Sequence, residues 1–176
     1  MSKYTELKAK HQAEVDAFPF GFAFSQSQFD EMMKKWGLKP TDIREILSIG
    51  GGGYVRKSDA DAMKEMFARH ESERKAAMQD DEYLYEMFDY ELANHEYCIT
   101  HDVDDTLDAL GLTAKEVNDN PKMKFAFQWA LYHQSGGDTD VIEGTLRVAK
   151  ERHEYEMDIA RKTAEFKRAI AAQEDC

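Results

Sequence analysis

The spacing of apolar positions and the placing of helix start and stop residues predict a chain that is mostly helical. Lys3 to Asp16 reads as the first helix. Pro19 and Gly21 then interrupt it, and Phe18, Phe20, Phe22 and Phe24 recur at a period of two, which predicts an extended stretch with its rings on one side. Ser25 with Gln28 forms a capping box for a second helix that Gly37 ends, and a short helix is expected from Asp42. Ile46 to Ile49 and Tyr54 to Lys57 flank Gly50 to Gly53 as a small hairpin or a flexible loop. Ser58 with Asp61 caps the next helix, which runs to about Met78. Residues 81–97 form another, with Leu84, Phe88 and Leu92 facing inward. Short helices follow from Asp104 and Thr113, and Pro121 opens a helix to His133. After a loop at Ser135 to Asp138, no breaker occurs from Asp140 to Gln173, which predicts one long helix with a stripe of Val148, Tyr155, Ile159, Phe166 and Ile170.

The fold class expected is therefore mainly α: a multi-helix domain over 1–139 with a small β-hairpin or Gly-rich loop near 46–57, and a long C-terminal helix over 140–176 packed on the same domain. Gly37-Leu38 and Gly111-Leu112 are each followed by a short acidic-apolar helix, an echo that reflects shared turn chemistry rather than duplication. The polar positions at Arg152 and Lys162 interrupt the terminal stripe, so a monomer or weak homodimer is expected.

Composition narrows the function. The 176 residues carry 23 Lys and Arg against 35 Asp and Glu, a net charge of −12, which argues against a nucleic-acid binder that relies on phosphate neutralisation, and so against duplex DNA as a direct ligand. Twenty aromatic residues supply a core. The cysteines, Cys98 and Cys176, form no disulfide framework, the segment Met1 to Ala17 lacks the apolar stretch of a signal peptide, and Ala17 to Phe24 is too short to span a membrane. A soluble, cytoplasmic protein is expected.

The charge is unevenly placed. Residues 1–75 hold 13 bases and 12 acids, residues 115–176 hold 10 bases and 12 acids, and residues 76–114 hold 11 acids and no Lys or Arg. Within that segment Glu82, Glu86, Asp89 and Glu96 fall along one helix face, with Tyr83, Tyr85, Tyr90 and Tyr97 among them and Asp102, Asp104 and Asp105 beyond. Such rows of carboxylates and tyrosines suit a basic groove that otherwise holds nucleic acid.

Catalytic patterns are incomplete. His70-Glu71, His95-Glu96 and His153-Glu154 each lack the second histidine of the zinc motif H-E-x-x-H, and no Glu-x-x-His pair exists for a di-iron bundle. His95, Cys98, His101 and Asp102 read as helix-end packing and exposed loop, with a metal site or thiol–imidazole pair as the alternative. Gly50 to Gly53 followed by Arg56-Lys57-Ser58 lacks the second glycine of a phosphate loop, although Arg56 and Lys57 could hold an anion such as a guide RNA backbone. Asp102-Val103-Asp104-Asp105-Thr106-Leu107 resembles motif I of the haloacid dehalogenase-like phosphohydrolases, which implies Asp102 as nucleophile and Asp104 as acid and base. Gly137-Asp138 with Asp140 and Glu143 resembles that family's magnesium-binding motif, but too few residues separate the two for the strand-helix crossovers between them. A metal-dependent phosphohydrolase is thus the alternative reading, and a protein with no cofactor or metal the first.

Three stretches, Phe18 to Ser25, Ser48 to Asp59 and Tyr90 to Cys98, resemble small acidic proteins encoded by phages and mobile elements of gut bacteria. The resemblance covers roughly residues 1–115. By analogy with anti-CRISPR inhibitors in that class, it implies a non-enzymatic inhibitor in the bacterial host cytoplasm. Its partner would be a larger basic nucleic-acid-handling protein such as Cas9 with its guide RNA.

Overall fold

The computed structural model describes residues 1–137 together with 158, 159, 161 and 162. The long helix expected over 140–173, and with it the apolar stripe, lies outside the described residues apart from those four, where Asp158 pairs with Arg161 (2.7 Å) and Lys162 (2.6 Å). The chain is mainly helical with one small sheet, as the pattern of start and stop residues predicts. It divides into two compact units, one of Met1 with Thr5–Ala76 and one of Ser2–Tyr4 with the chain from Ala77 onward. Among the described residues no helix is long and apolar enough to cross a membrane.

The first unit contains most of α1 (Lys3–Ala17), β1 (Gly21–Phe22), α2 (Gln26–Lys35), β2 (Ile46–Gly50), β3 (Gly53–Arg56) and most of α3 (Ala60–Ala77). The strands form an antiparallel sheet in the order β1-β3-β2, with Gly21 opposite Tyr54 and Leu47 opposite Val55. Ser25 Oγ accepts the Gln28 N–H (3.3 Å), but the Gln28 side chain accepts from Phe24 N–H (2.7 Å), one residue earlier than a capping box requires. Gly37 ends α2 with a positive φ, and the Leu38 N–H returns to the Met33 carbonyl at 2.9 Å, satisfying a carbonyl of the last turn. The core is built from Ala23, Met32, Met33 and Ile46, with Phe29, Trp36, Leu38 and Tyr54 against it.

Two sequence expectations change here. The helix from Asp42 is only a 3₁₀ turn at Ile43–Glu45, because the chain enters β2 at Ile46. The Ser58 and Asp61 cap does not form. Ser58 donates to Asp59 (3.2 Å), Arg56 pairs with Asp59 (2.6 Å), and α3 begins through a 3₁₀ turn at Lys57–Asp59.

The second unit contains α4 (Asp81–Asn94), α5 (Tyr97–Thr100), α6 (Asp104–Leu110), α7 (Ala114–Asp119) and α8 (Pro121–Gln134). Asp80 caps α4 by accepting from the Glu82 and Tyr83 N–H groups, Thr113 and Glu116 form a reciprocal capping box on α7, and Asn120 caps α8 with Pro121 in its first turn. The helix predicted over 81–97 breaks at His95–Glu96, where Glu96 turns left-handed (φ 55°). α4 lies against α8, burying Leu84, Met87, Phe88 and Leu92 with Leu107, Leu110, Val117, Ala126 and Ala130. Phe88 meets Phe127 with ring centroids 5.0 Å apart. Each large side chain fully buried here contributes about 1.5–3 kcal/mol.

Candidate functional site: the acidic helical surface

The acidic segment lies wholly in the second unit, and the fold divides its carboxylates into two groups. Those of α4 are engaged inside the unit. Lys3 reaches Asp80 (2.8 Å) and Glu82 (2.7 Å), the Tyr4 N–H donates to Glu86 (3.2 Å), and Lys122 stands 3.0 Å from Asp81. Asp89 accepts from Gln134 Nε2 (2.8 Å) and faces His133 Nδ1 at 2.6 Å. Local spacing on one helix predicts a row of mutually repelling charges. Residues far away in the sequence instead neutralise much of it.

Glu91 belongs to this network and was not among the residues that the sequence pattern singled out. It is 3% exposed and accepts the Tyr4 hydroxyl at 2.5 Å, with Asn94 Nδ2 at 3.4 Å and His95 Nε2 at 3.6 Å. Burial and then this bond push the Tyr4 hydroxyl far above its ordinary pKa. The hydrogen bonds that the Lys3 ammonium donates to Asp80 and Glu82 raise its own pKa, and that of Asp80 is lowered, Lys3 and two backbone N–H groups outweighing its burial. The Tyr4 ring meets Tyr83 at 5.7 Å and Tyr90 at 5.5 Å. Tyr83 is buried and belongs to the core rather than to a stacking surface, while Tyr90 keeps an exposed edge.

The second group is open to solvent. Glu96, Asp102, Asp104, Asp105 and Asp108 are exposed on α5, α6 and the turn between them, with no ion-pair partner among the described residues. Between Glu96 and His101, both left-handed, the single turn of α5 presents Ile99, 72% exposed. The Tyr97 and His101 rings stand perpendicular at 5.7 Å. Asp102 Oδ1 accepts the Asp104 N–H (2.9 Å) and so starts α6, whose first turn also favours Asp104 and Asp105 through the helix dipole. The result is an apolar tip at Ile99 in a stretch that exposes five carboxylates.

The phosphohydrolase alternative needs Asp102 and Asp104 at the end of a buried parallel strand. They follow the helical turn α5, and the sheet present among the described residues is antiparallel and lies in the first unit. Asp138, Asp140 and Glu143 lie outside the described residues. Among those described, no three His, Cys, Asp or Glu side chains converge as a metal site.

The first unit holds the two basic residues singled out from sequence. Arg56 is tied to Asp59, Lys57 is exposed, and the glycine loop before them is a tight turn in which Gly50, Gly51 and Gly52 all have positive φ, a conformation that side chains disfavour. The same unit contains a pair that the sequence did not announce. His11 and His70 stack at 3.9 Å, His11 facing Glu73 (2.9 Å) and His70 facing Glu14 (2.8 Å). Arg69 and His70 hold the Glu14 carboxyl at about 2, and Lys10 and His11 lower that of Glu73. Only the dipeptide His70-Glu71 was visible locally, and its relevant carboxylate comes from another helix.

No curated protein and no solved structure matches the chain. A family described as a family of unknown function, DUF7659, matches residues 3–133, from the start of α1 to the last turn of α8. The match takes in both the engaged acids of α4 and the exposed ones of α5 and α6, and over that length the chain belongs to the DUF7659 family.

Proposed function

We propose that the protein is a non-enzymatic binding protein that docks its exposed acidic surface on a basic site of a larger nucleic-acid-handling protein. One observation carries the reading. In a segment with 11 acids and no Lys or Arg, the five carboxylates from Glu96 to Asp108 remain exposed without an ion-pair partner among the described residues, in the same stretch as the exposed Ile99. Carboxylates of like sign on short helices create a field that steers a basic partner, and an apolar tip supplies the contact that is desolvated on docking. Occupying such a site would exclude the nucleic acid that normally fills it. An anti-CRISPR-like inhibitor of Cas9 with its guide RNA is the specific form of this proposal, in keeping with the resemblance to small acidic phage proteins.

The test is capture of proteins from a nuclease-treated bacterial lysate on the immobilised full chain, with elution by added RNA or by salt. Retention of basic nucleic-acid-binding proteins that RNA displaces is expected. A chain carrying Glu96→Gln, Asp105→Asn and Asp108→Asn should lose them, and equal capture by this variant would contradict the proposal. Asp102 and Asp104 are kept because Asp102 Oδ1 accepts the Asp104 N–H where α6 begins.

A further inference from the structure

The acidic surface leaves the aromatic strand of the first unit unexplained. Phe22, at the end of β1, and Phe24, in the bend just beyond it, are 61% and 76% exposed, with Ala23 buried between them. Two exposed phenylalanines at this spacing are costly on a surface that meets only water. The Phe24 ring rests on the glycine turn, where a Cβ on Gly52 would stand 2.6 Å from Phe24 Cε1. Phe24 also separates two clefts of about 380 Å³ each. Phe22, Trp36 and Lys35 help to line the first, and Phe29 and Tyr54 the second. The Ala23 N–H bonds to Gly52 (2.9 Å), so by alternation along the strand the N–H and C=O of Phe22 point away from β3 and are open to a ligand.

The segment that carries these rings is basic, opposite in sign to the whole chain. Residues 18–57 carry six Lys and Arg against four Asp and Glu. Five of the six bases, Lys34, Lys35, Lys39, Arg44 and Lys57, are exposed and have no ion-pair partner among the described residues. Glu31, on the rim of the first cleft, is one turn from Lys35 yet unpaired, and can accept from the amino edge of a base.

We infer that this face binds single-stranded nucleic acid, with successive bases stacked in the two clefts on either side of Phe24 and the phosphates met by Lys35 and its neighbours. Exposed aromatic rings at strand spacing with flanking cations are what unstacked bases and a phosphodiester backbone require. An apolar peptide would use the rings and leave Lys35, on the first cleft, idle. Duplex nucleic acid would offer no free base faces. The inference concerns the first unit alone and does not rest on the acidic surface of the second.

The test is fluorescence anisotropy of the full chain with labelled oligocytidine of about ten nucleotides, as RNA and as DNA, and with a duplex of the same length. Saturable binding to one or both single strands at low salt, at least tenfold tighter than to the duplex, is expected. Phe22→Ala with Phe24→Ala should weaken it at least tenfold, while Phe22→Tyr with Phe24→Tyr retains it. Lys34→Ala with Lys35→Ala should lower the slope of log affinity against log salt by about 1.4. Trp36 gives a second readout in a Trp129→Phe background, since a base in the first cleft should quench it. Absence of binding at low salt, equal affinity in the double alanine variant, or equal binding of duplex would overturn the inference. So would a self-association that the alanine variant abolishes, which would assign the face to a second copy of the chain.

Discussion

The hydroxyl of Tyr4 donates to the carboxylate of Glu91 across 2.5 Å, joining residues 87 positions apart in the sequence inside the second unit. Glu91 sits in the last turn of α4 and is buried with the residues that form the core, so it requires a donor there. With Lys3 on Asp80 and Glu82, and the Tyr4 backbone on Glu86, the residues at the start of α1 act as a clasp over the acidic helix.

Removing the hydroxyl should therefore be felt globally. Tyr4→Phe takes the hydroxyl donor from the buried Glu91 carboxylate, which Asn94 and His95 approach at longer distance. A loss of about 1–3 kcal/mol in urea unfolding is expected. Tyr4→Phe with Glu91→Gln should show coupling in a double-mutant cycle, and additive effects would show that the bond contributes nothing specific.

Charge reversal separates the two groups of acids. Glu82→Lys, Glu86→Lys and Asp89→Lys together place cations against Lys3 and His133 and remove the acceptor for the Tyr4 N–H, so the folded state should lose about 2 kcal/mol or more. The triple change of Glu96, Asp105 and Asp108 to amides touches exposed groups and should stay within about 0.5 kcal/mol of the parent. Urea midpoints decide both, and equal midpoints for the two variants would contradict the division.

Much of the fold was legible because its start and stop signals are local: Ser25, Gly37, Thr113, Pro121 and the glycine turn each act within a few residues of themselves. The break at Glu96 was not legible, since a left-handed glutamate carries no mark in the sequence and neither glycine nor proline stands near it. The acidic segment was visible as composition, but which carboxylates stay free depends on Lys3, Tyr4, Lys122, His133 and Gln134, supplied from both ends of the described chain. Tyr83 illustrates the same limit: it alternates with acids in sequence yet lies on the buried side of α4.

Acid should loosen the link between α1 and α3. The Glu14 carboxyl, ordinarily near 4.5, is held at about 2 in the folded chain by Arg69 and His70, and Glu73 is lowered by Lys10 and His11. A carboxylate depressed on folding contributes stability that is complete above its unfolded pKa and is lost as protons bind below it. Thermal midpoints should consequently fall between about pH 4.5 and pH 2 more steeply in the parent than in Glu14→Gln. Parallel curves would show that the Glu14 pairing contributes no linkage.

Gly21 is required by packing rather than by backbone conformation. A Cβ there would collide with Met32 Sδ, in the core of the first unit, and stand 2.7 Å from the Trp36 ring packed against it. Gly21→Ala should cost about 1–3 kcal/mol and shift Trp36 fluorescence, whereas Gly37→Ala, which meets no atom but has a positive φ, should cost about 1–2 kcal/mol without that shift. An unchanged Trp36 spectrum in Gly21→Ala would contradict the packing argument.

Recognition of a basic partner by the exposed carboxylates of α5 and α6 should be read in the salt dependence of affinity for the captured basic protein. The parent chain should bind more weakly as salt rises. The chain with Glu96→Gln, Asp105→Asn and Asp108→Asn, folded to the same circular dichroism spectrum, should bind at least tenfold more weakly at low salt and with a shallower slope. The same affinity and slope in both chains would contradict the account.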